Sequence, residues 1–266
     1  MHFELLGPLR ATKDGVEAHL GGHKQRVVLA GLLLNTNRIV GTDELIEWVW
    51  GDDAPRTAAH SIQIYVSELR KALRPLASKE LIVTREPGYV LEIDEDDVDV
   101  DEFERLVAEA TLNLQEGRPA DAAEQAKAAL GLWHGPALSE FRYDEFAQAA
   151  IRRLDDEHLA AQELLTESEL ATGQVVAALT RIEALVEAHP LRESATGLLM
   201  QALYRNGRAA DALATYQRLR HRLGDELGVE PSPHLQQLED RILVQDPSLG
   251  QQPPSPGSPN PSKGLR

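Results

Sequence analysis

Residues 56–74, RTAAHSIQIYVSELRKALR, carry two different faces at one helical period. With successive residues about 100° apart, Ala58, Ile62, Val66, Leu69 and Leu73 fall within about 80° of arc, an apolar stripe of core-facing width. A chain that holds this stretch must supply a surface for the stripe to pack on. The opposite side presents Thr57, His60, Ser61, Ile64, Ser67, Glu68 and Lys71, with Gln63, Arg70 and Arg74 on one shoulder and Tyr65 on the other. Short polar groups lie centrally and cations flank them.

Two uses fit such a face. An ordinary solvated helix also carries Ser, Lys and Glu outward. A helix that reads the major groove of DNA needs small donors, acceptors and an apolar contact for base edges, with cations and a phenol at the rims for phosphates. On that second use Ser61, Gln63, Ile64, Ser67, Glu68 and Lys71 meet bases, Ile64 against a thymine methyl. His60, Tyr65, Arg70 and Arg74 meet the phosphate backbone. Glu68 is the awkward member: it either accepts from a cytosine amino group or lies at the rim, held by Lys71.

Charge sharpens the choice. The net charge of −16 argues globally against nucleic acid, because phosphate binding is driven by Lys and Arg displacing counterions. Its distribution argues otherwise: residues 1–94 hold 11 Lys/Arg against 13 Asp/Glu, and residues 95–266 hold 16 against 30. Within residues 56–74 four cations face one anion, so positive charge is local to the two-faced helix.

Upstream, FELL, then LRATKDG with the Asp14-Gly15 turn dipeptide, then a run through Ala18 and Leu20 predict a small sheet. KQRVVLAGLLL, residues 24–34, predicts a buried helix stopped by NTNR. Thr42 offers an N-cap for DELIEWVW, with Asp43 and Glu44 in the first turn, where carboxylates favour the positive end of the helix dipole. GDDAP then turns the chain into the two-faced helix. After it, LIVTREPGYVL reads as two strands around Arg-Glu-Pro-Gly, a hairpin with Arg85 at its tip. The order is sheet, three helices, hairpin.

Residues 94–102, DEDDVDVDE, read as an acidic, solvated connector. As a calcium loop the segment fails, because starting from Asp97 the sixth position is Glu102 rather than Gly and the twelfth is Ala108. Beyond it Gly-x-x-x-x-Ala recurs at Gly117, Gly173 and Gly207, the last two 34 residues apart. That is the tetratricopeptide period, and Pro190 fits the closing proline of the repeat. The longer first interval places an insertion around WHGPALSEFRYDEFAQAA, where His134 reads as part of a packed turn between helices. The final DPSLGQQPPSPGSPNPSKGLR is rich in proline and poor in apolar side chains, so it reads as a disordered tail or as the approach to a further domain.

The spacing of LRKAL to TREPGYVL resembles the end of an OmpR/PhoB-type winged helix. With HFELLGPLR, KQRVVLAGLLL, YVSELRKAL and the long run from His189 to Leu243, the chain resembles the SARP family of bacterial pathway-specific activators of antibiotic biosynthesis and the related EmbR-like regulators. The expected fold is mainly α: a winged helix-turn-helix of small β-sheet, three helices and C-terminal hairpin wing over residues 1–94, an all-α tetratricopeptide-like bacterial transcriptional activation domain over 95–245, and the tail over 246–266. The resemblance implies double-stranded DNA as partner, bound by a homodimer at direct repeats near a promoter. It also implies contact with RNA polymerase, including its sigma factor, through the turn that holds Asp52 and Asp53, and it gives Arg85 a wing contact with phosphate.

Other classes find less support. There is no cysteine, hence no disulfide, thiolate metal site or Cys nucleophile. No phosphate-loop, His-Glu-x-x-His or Gly-x-Ser-x-Gly motif is present, so neither an enzyme nor a cofactor or metal site is expected. Nowhere do 18 apolar residues run together, and the N-terminus lacks a basic stretch before an apolar one, which predicts a cytoplasmic protein without membrane contact. The remaining competitor is a protein- or ligand-interaction module whose N-terminal helices merely cap the repeats. A cap has no need of a cation-flanked polar helix followed by an Arg-tipped hairpin.

Overall fold

The computed structural model describes residues 1–94 and 97–250, which form two compact units. The first comprises Met1–Arg105 and Gly131–Glu157. It opens with β1 (His2–Glu4), β2 (Arg10–Lys13) and β3 (Val16–Glu17), an antiparallel meander. Asp14 and Gly15 both adopt positive φ, 52° and 79°, as a two-residue hairpin turn requires. Then come α1 (His23–Leu33), β4 (Val40–Gly41), α2 (Thr42–Trp50), a 3-10 turn at Gly51–Asp53, α3 (Ala58–Leu73), β5 (Ile82–Arg85) and β6 (Gly88–Leu91). The second sheet has the order β4-β6-β5, so the hairpin is a wing anchored by a short third strand. Sheet, three helices and wing arrive as expected.

Packing explains residues that look unsuited to their elements. Gly31 lies inside α1 because a Cβ there would stand 2.3 Å from the Trp48 ring of α2. A Cβ on Gly88 would meet the Val40 carbonyl oxygen at 1.8 Å, so only glycine lets β6 pass β4 this closely. The apolar stripe of α3, Ala58, Ile62, Val66, Leu69 and Leu73, is buried as its spacing predicts. Thr42 is not the N-cap of α2: Gly41 holds that place, and the Thr42 hydroxyl donates to the Pro87 carbonyl at 3.1 Å. It ties α2 to the wing turn instead.

The acidic connector is not a solvated linker. Residues 95 and 96 lie outside the described residues, but Asp97 pairs with the N-terminal ammonium at 3.1 Å and Val98 bridges Phe3. Asp99, 1 % exposed, begins α4 (Asp99–Gln115) and accepts from the Leu5 amide at 2.8 Å and the Leu6 amide at 2.9 Å. Val98 and Val100 on either side of it are buried as well, which the run of acids hid from a charge-based reading. The inserted segment folds with the first unit. Its His134 amide donates to the Leu6 carbonyl and its Leu138 amide to the Leu5 carbonyl, both at 2.8 Å, and Phe141 is fully buried.

The second unit comprises Leu106–Leu130 and the chain from His158 onward. Its helices are the end of α4, α5 (Pro119–Gly131), the later part of α6 (Glu145–Ala171), α7 (Val175–Ala188), α8 (Glu193–Arg205), α9 (Ala209–Leu227), α10 (Pro233–Leu243) and the turn α11 (Pro247–Gly250). The repeat signature performs as its chemistry suggests. Gly117, Gly173 and Gly207 have φ of 74°, 81° and 76°, each closing a helix, and the paired Ala122, Ala178 and Ala212 are fully buried between helices. Residues 246–250 were expected in the tail, yet Leu249 is buried and its carbonyl accepts from Arg205 Nε at 3.1 Å. The rest of the expected tail, 251–266, lies outside the described residues.

Asp99→Ala leaves two buried amides without acceptors and should lower stability by about 3 kcal/mol in urea unfolding. Burial pushes the Asp99 carboxyl up from 3.8 to about 6, outweighing the amide bonds that favour its charged form. The folded chain thus holds this proton more tightly than the unfolded one, so the stability contributed is present below pH 4 and lost as pH rises towards 6. Asp99→Asn should flatten that segment of the stability-against-pH curve relative to the parent chain.

Candidate nucleic-acid interface

The outward face of α3 is open to solvent. His60, Gln63, Ile64, Ser67, Glu68, Lys71 and Arg74 are exposed, Ile64 at 43 %, and Ser61 and Tyr65 are half-buried. They share one helix side because the buried stripe fixes the rotation of α3 on its unit. The Ser61 hydroxyl donates back to the Thr57 carbonyl at 3.2 Å, which leaves its oxygen free only to accept. Arg85 stands at the end of β5, 60 % exposed, in a loose 3.4 Å pair with Glu92. With Arg56 and Lys24, also exposed, the cations rim the polar centre.

Arg70 departs from its expected place. Its Nε donates to the Ile82 carbonyl at 2.8 Å and its Nη2 to Thr84 Oγ1 at 2.9 Å, while Glu80 pairs with it at 2.7 Å. These bonds use Nε and one hydrogen of Nη2, leave Nη1 for a further acceptor, and join α3 to the first wing strand. Arg70 sets the angle between helix and wing.

Three contributors were missed in the sequence. Gln25, in the first turn of α1, donates through Nε2 to the Glu68 carboxylate, so the partner of Glu68 is Gln25 and not Lys71. Trp50, at the end of α2, stacks on Tyr65 with ring centroids 6.1 Å apart and planes at 21°, and Lys24 Nζ sits 4.6 Å over the Trp50 ring. That ladder orients the phenol and holds a further cation beside it. The signal was there: KQR heads the apolar run of α1, and the buried part of that helix begins only at Val27. Asp52 and Asp53 lie on the exposed 3-10 turn, away from the buried stripe.

Residues 17–91 match the family described as transcriptional regulatory protein, C terminal, and residues 98–243 match the bacterial transcriptional activator domain. The chain belongs to the SARP family of transcriptional regulators. It is similar to the regulatory protein DnrI of Streptomyces peucetius, 31 % identical over 96 % of either chain. It is 38 % identical to the transcriptional regulatory protein EmbR of Mycobacterium tuberculosis over 93 % of its own length, and spans 64 % of EmbR. The solved structure of that EmbR in complex with a low affinity phosphopeptide superposes with a TM-score of 0.89 at 36 % identity, covering 94 % of this chain and 68 % of the other. These relatives are regulators of transcription and not enzymes, and among the described residues no helix is long and apolar enough to cross a membrane.

Arg70→Ala should loosen the wing rather than simply remove a cation. Amide hydrogen exchange in β5 and β6 should quicken and stability fall by about 1–3 kcal/mol, as expected when hydrogen bonds to a charged group are lost. Unchanged exchange in the wing would return Arg70 to the role of a surface cation.

Proposed function

We propose that this chain is a sequence-specific DNA-binding transcriptional activator, acting in the cytoplasm on promoters of a secondary-metabolite (antibiotic) gene cluster. The observation that carries the reading is the solvent-open face of α3, small and polar at its centre, cationic at its rims and fixed in rotation by its buried stripe. On this reading Ser61, Gln63, Ile64, Ser67 and Lys71 meet base edges in the major groove, and His60, Tyr65, Arg74 and Arg85 meet phosphates. Lys24 joins the phosphate set, held by its Trp50 perch. Two copies bind direct repeats as a homodimer, and the acids of the turn, Asp52 and Asp53, face RNA polymerase with its sigma factor. The names of DnrI and of the Streptomyces coelicolor protein AfsR, both regulatory proteins, the latter 38 % identical over 94 % of this chain and 25 % of its own length, support a regulatory role. The competing reading, N-terminal helices that only cap the repeats, is disfavoured because α3 leaves this face uncovered within its own unit.

Gel-shift titration of genomic fragments at several salt concentrations tests the reading. With roughly six phosphate contacts, log affinity should fall with log salt at a slope of about −5, and Arg85→Ala should flatten the slope by about 1 while weakening all sequences alike. Glu68, counted among the base-facing groups on sequence, is bonded to Gln25 of α1, and that bond favours the rim reading, in which an anion only repels phosphate. Glu68→Ala should therefore tighten binding to every sequence with selectivity unchanged; relaxed preference at one base pair would instead place the carboxylate in the groove. Replacing Asp52 and Asp53 together by alanine should spare DNA affinity and reduce transcription in a purified system, whereas equal losses of both would mark the turn as structural.

A further inference from the structure

Wholly within the second unit, α4, α6, α8 and α10 line a cleft of about 570 Å³. That volume suits a small molecule, whose sites run from roughly 300 to 1,000 Å³. Leu164, Leu198 and Leu235, one each from α6, α8 and α10 and all buried or half-buried, give the cleft an apolar surface. Its polar groups are of two sorts. Glu163 is satisfied by Arg192 at 2.6 Å and by the Ser194 hydroxyl at 2.7 Å, and Glu193 accepts from the Ser232 amide at 2.6 Å. Glu167, Gln201 and His234, from the same three helices as the leucines, have neither an ion pair nor a side-chain hydrogen bond among the described residues. Glu167 is open to water on one side, while burial on the other raises its carboxyl above its ordinary value.

We propose that this cleft binds a small organic amine, its apolar body on the three leucines and its ammonium on the Glu167 carboxylate, with Gln201 and His234 left for its other polar substituents. The inference is independent of the DNA reading of α3. Charge chooses the class of ligand: three glutamates line the cleft and no lysine or arginine does, so phosphates and carboxylates are repelled. An ammonium restores the charged form of Glu167 that burial disfavours, which an uncharged ligand cannot do. A metal ion is the wrong cation, because among the described residues no group of His, Asp and Glu is placed to hold one. A peptide is the wrong size of partner: it brings a run of backbone amides and carbonyls, and only three side chains here are free to meet them. Convergent unpartnered polar groups around an apolar surface are what a small-molecule site requires.

The test uses the full chain and ligand-observed NMR with five compounds. Tryptamine and phenethylamine carry both a ring and an ammonium, 3-ethylindole lacks the charge, indole-3-propionate reverses it, and spermidine lacks the apolar body. The two ring amines should bind, 3-ethylindole about tenfold more weakly than tryptamine, and the propionate and spermidine not measurably. Glu167→Gln should bring tryptamine down about tenfold, to the level of 3-ethylindole, as when a charge-assisted bond is exchanged for a neutral one. Thr111→Trp places a ring in the cleft from an exposed position of α4 and should abolish binding of every compound. Urea unfolding of each variant checks that the fold is kept. If neither ring amine binds, or both bind equally to the parent chain and the two variants, the proposal is overturned. Spermidine binding as tightly as tryptamine would show a merely acidic surface, and a tryptamine affinity that Glu167→Gln leaves unchanged would show an apolar cleft without selection for charge; either overturns it. Self-association lost on Thr111→Trp, read by sedimentation, would give the cleft to a second copy and overturn it too.

Discussion

Backbone satisfaction between β1 and β2 is the constraint from which the first unit grows. Leu5, Leu6 and Leu9 are each at most 1 % exposed, yet they lie in a stretch that belongs to no strand or helix. Buried amides and carbonyls must find partners there or cost about 1–3 kcal/mol apiece. They find them far along the chain. Asp99 takes the Leu5 and Leu6 amides, Glu140 takes the Leu9 amide at 2.8 Å, and the amides of His134 and Leu138 give to the Leu6 and Leu5 carbonyls. Arg26 of α1 then closes on Glu140 at 2.5 Å and on the Leu9 carbonyl at 2.6 Å. One irregular stretch thereby collects the connector, the insertion and the first helix into a single packed body.

That collection sets up the exposed machinery. With α1 held by Arg26, its first turn stands beside α3, so Gln25 reaches Glu68 and Lys24 reaches Trp50. The rotation of α3 comes from its own apolar stripe, the angle of the wing from Arg70, and the orientation of Tyr65 from Trp50. On the exposed face Glu68 and Tyr65 are thus supported by half-buried Gln25 and Trp50, the arrangement that a precise recognition surface requires.

Legibility in the sequence followed the range of the interactions involved. The α3 stripe, the Asp14-Gly15 hairpin, the wing and the Gly/Ala signature of the repeats are local patterns, and all were readable because their physics acts within a few residues. Asp99 was not readable: among five aspartates in nine residues, only a partner 93 or 94 positions away distinguishes it. Thr42 was assigned by a local rule, a cap, which lost to the Pro87 carbonyl, and the bonds of Arg70 to the first wing strand lay equally beyond a local rule. For the candidate interface, sequence periodicity placed residues on the outward face but could not say that Gln25 would engage one of them. The family resemblance supplied the roles of wing and turn without supplying these contacts.

The charge distribution completes the physical picture of the proposed reader. At −16 overall, the chain gains no long-range attraction to a polyanion, and at physiological salt the field of any surface charge fades within about 8 Å. Acid elsewhere in the sequence is therefore largely invisible at the α3 face, while Lys24, Lys71, Arg74 and Arg85 act only at close approach. Weak steering has a consequence for selectivity. A protein with little non-specific attraction spends less time on wrong sequences, so on the proposed reading Ser61, Gln63, Ile64, Ser67 and Lys71 must carry a larger share of the total affinity than in a strongly basic reader.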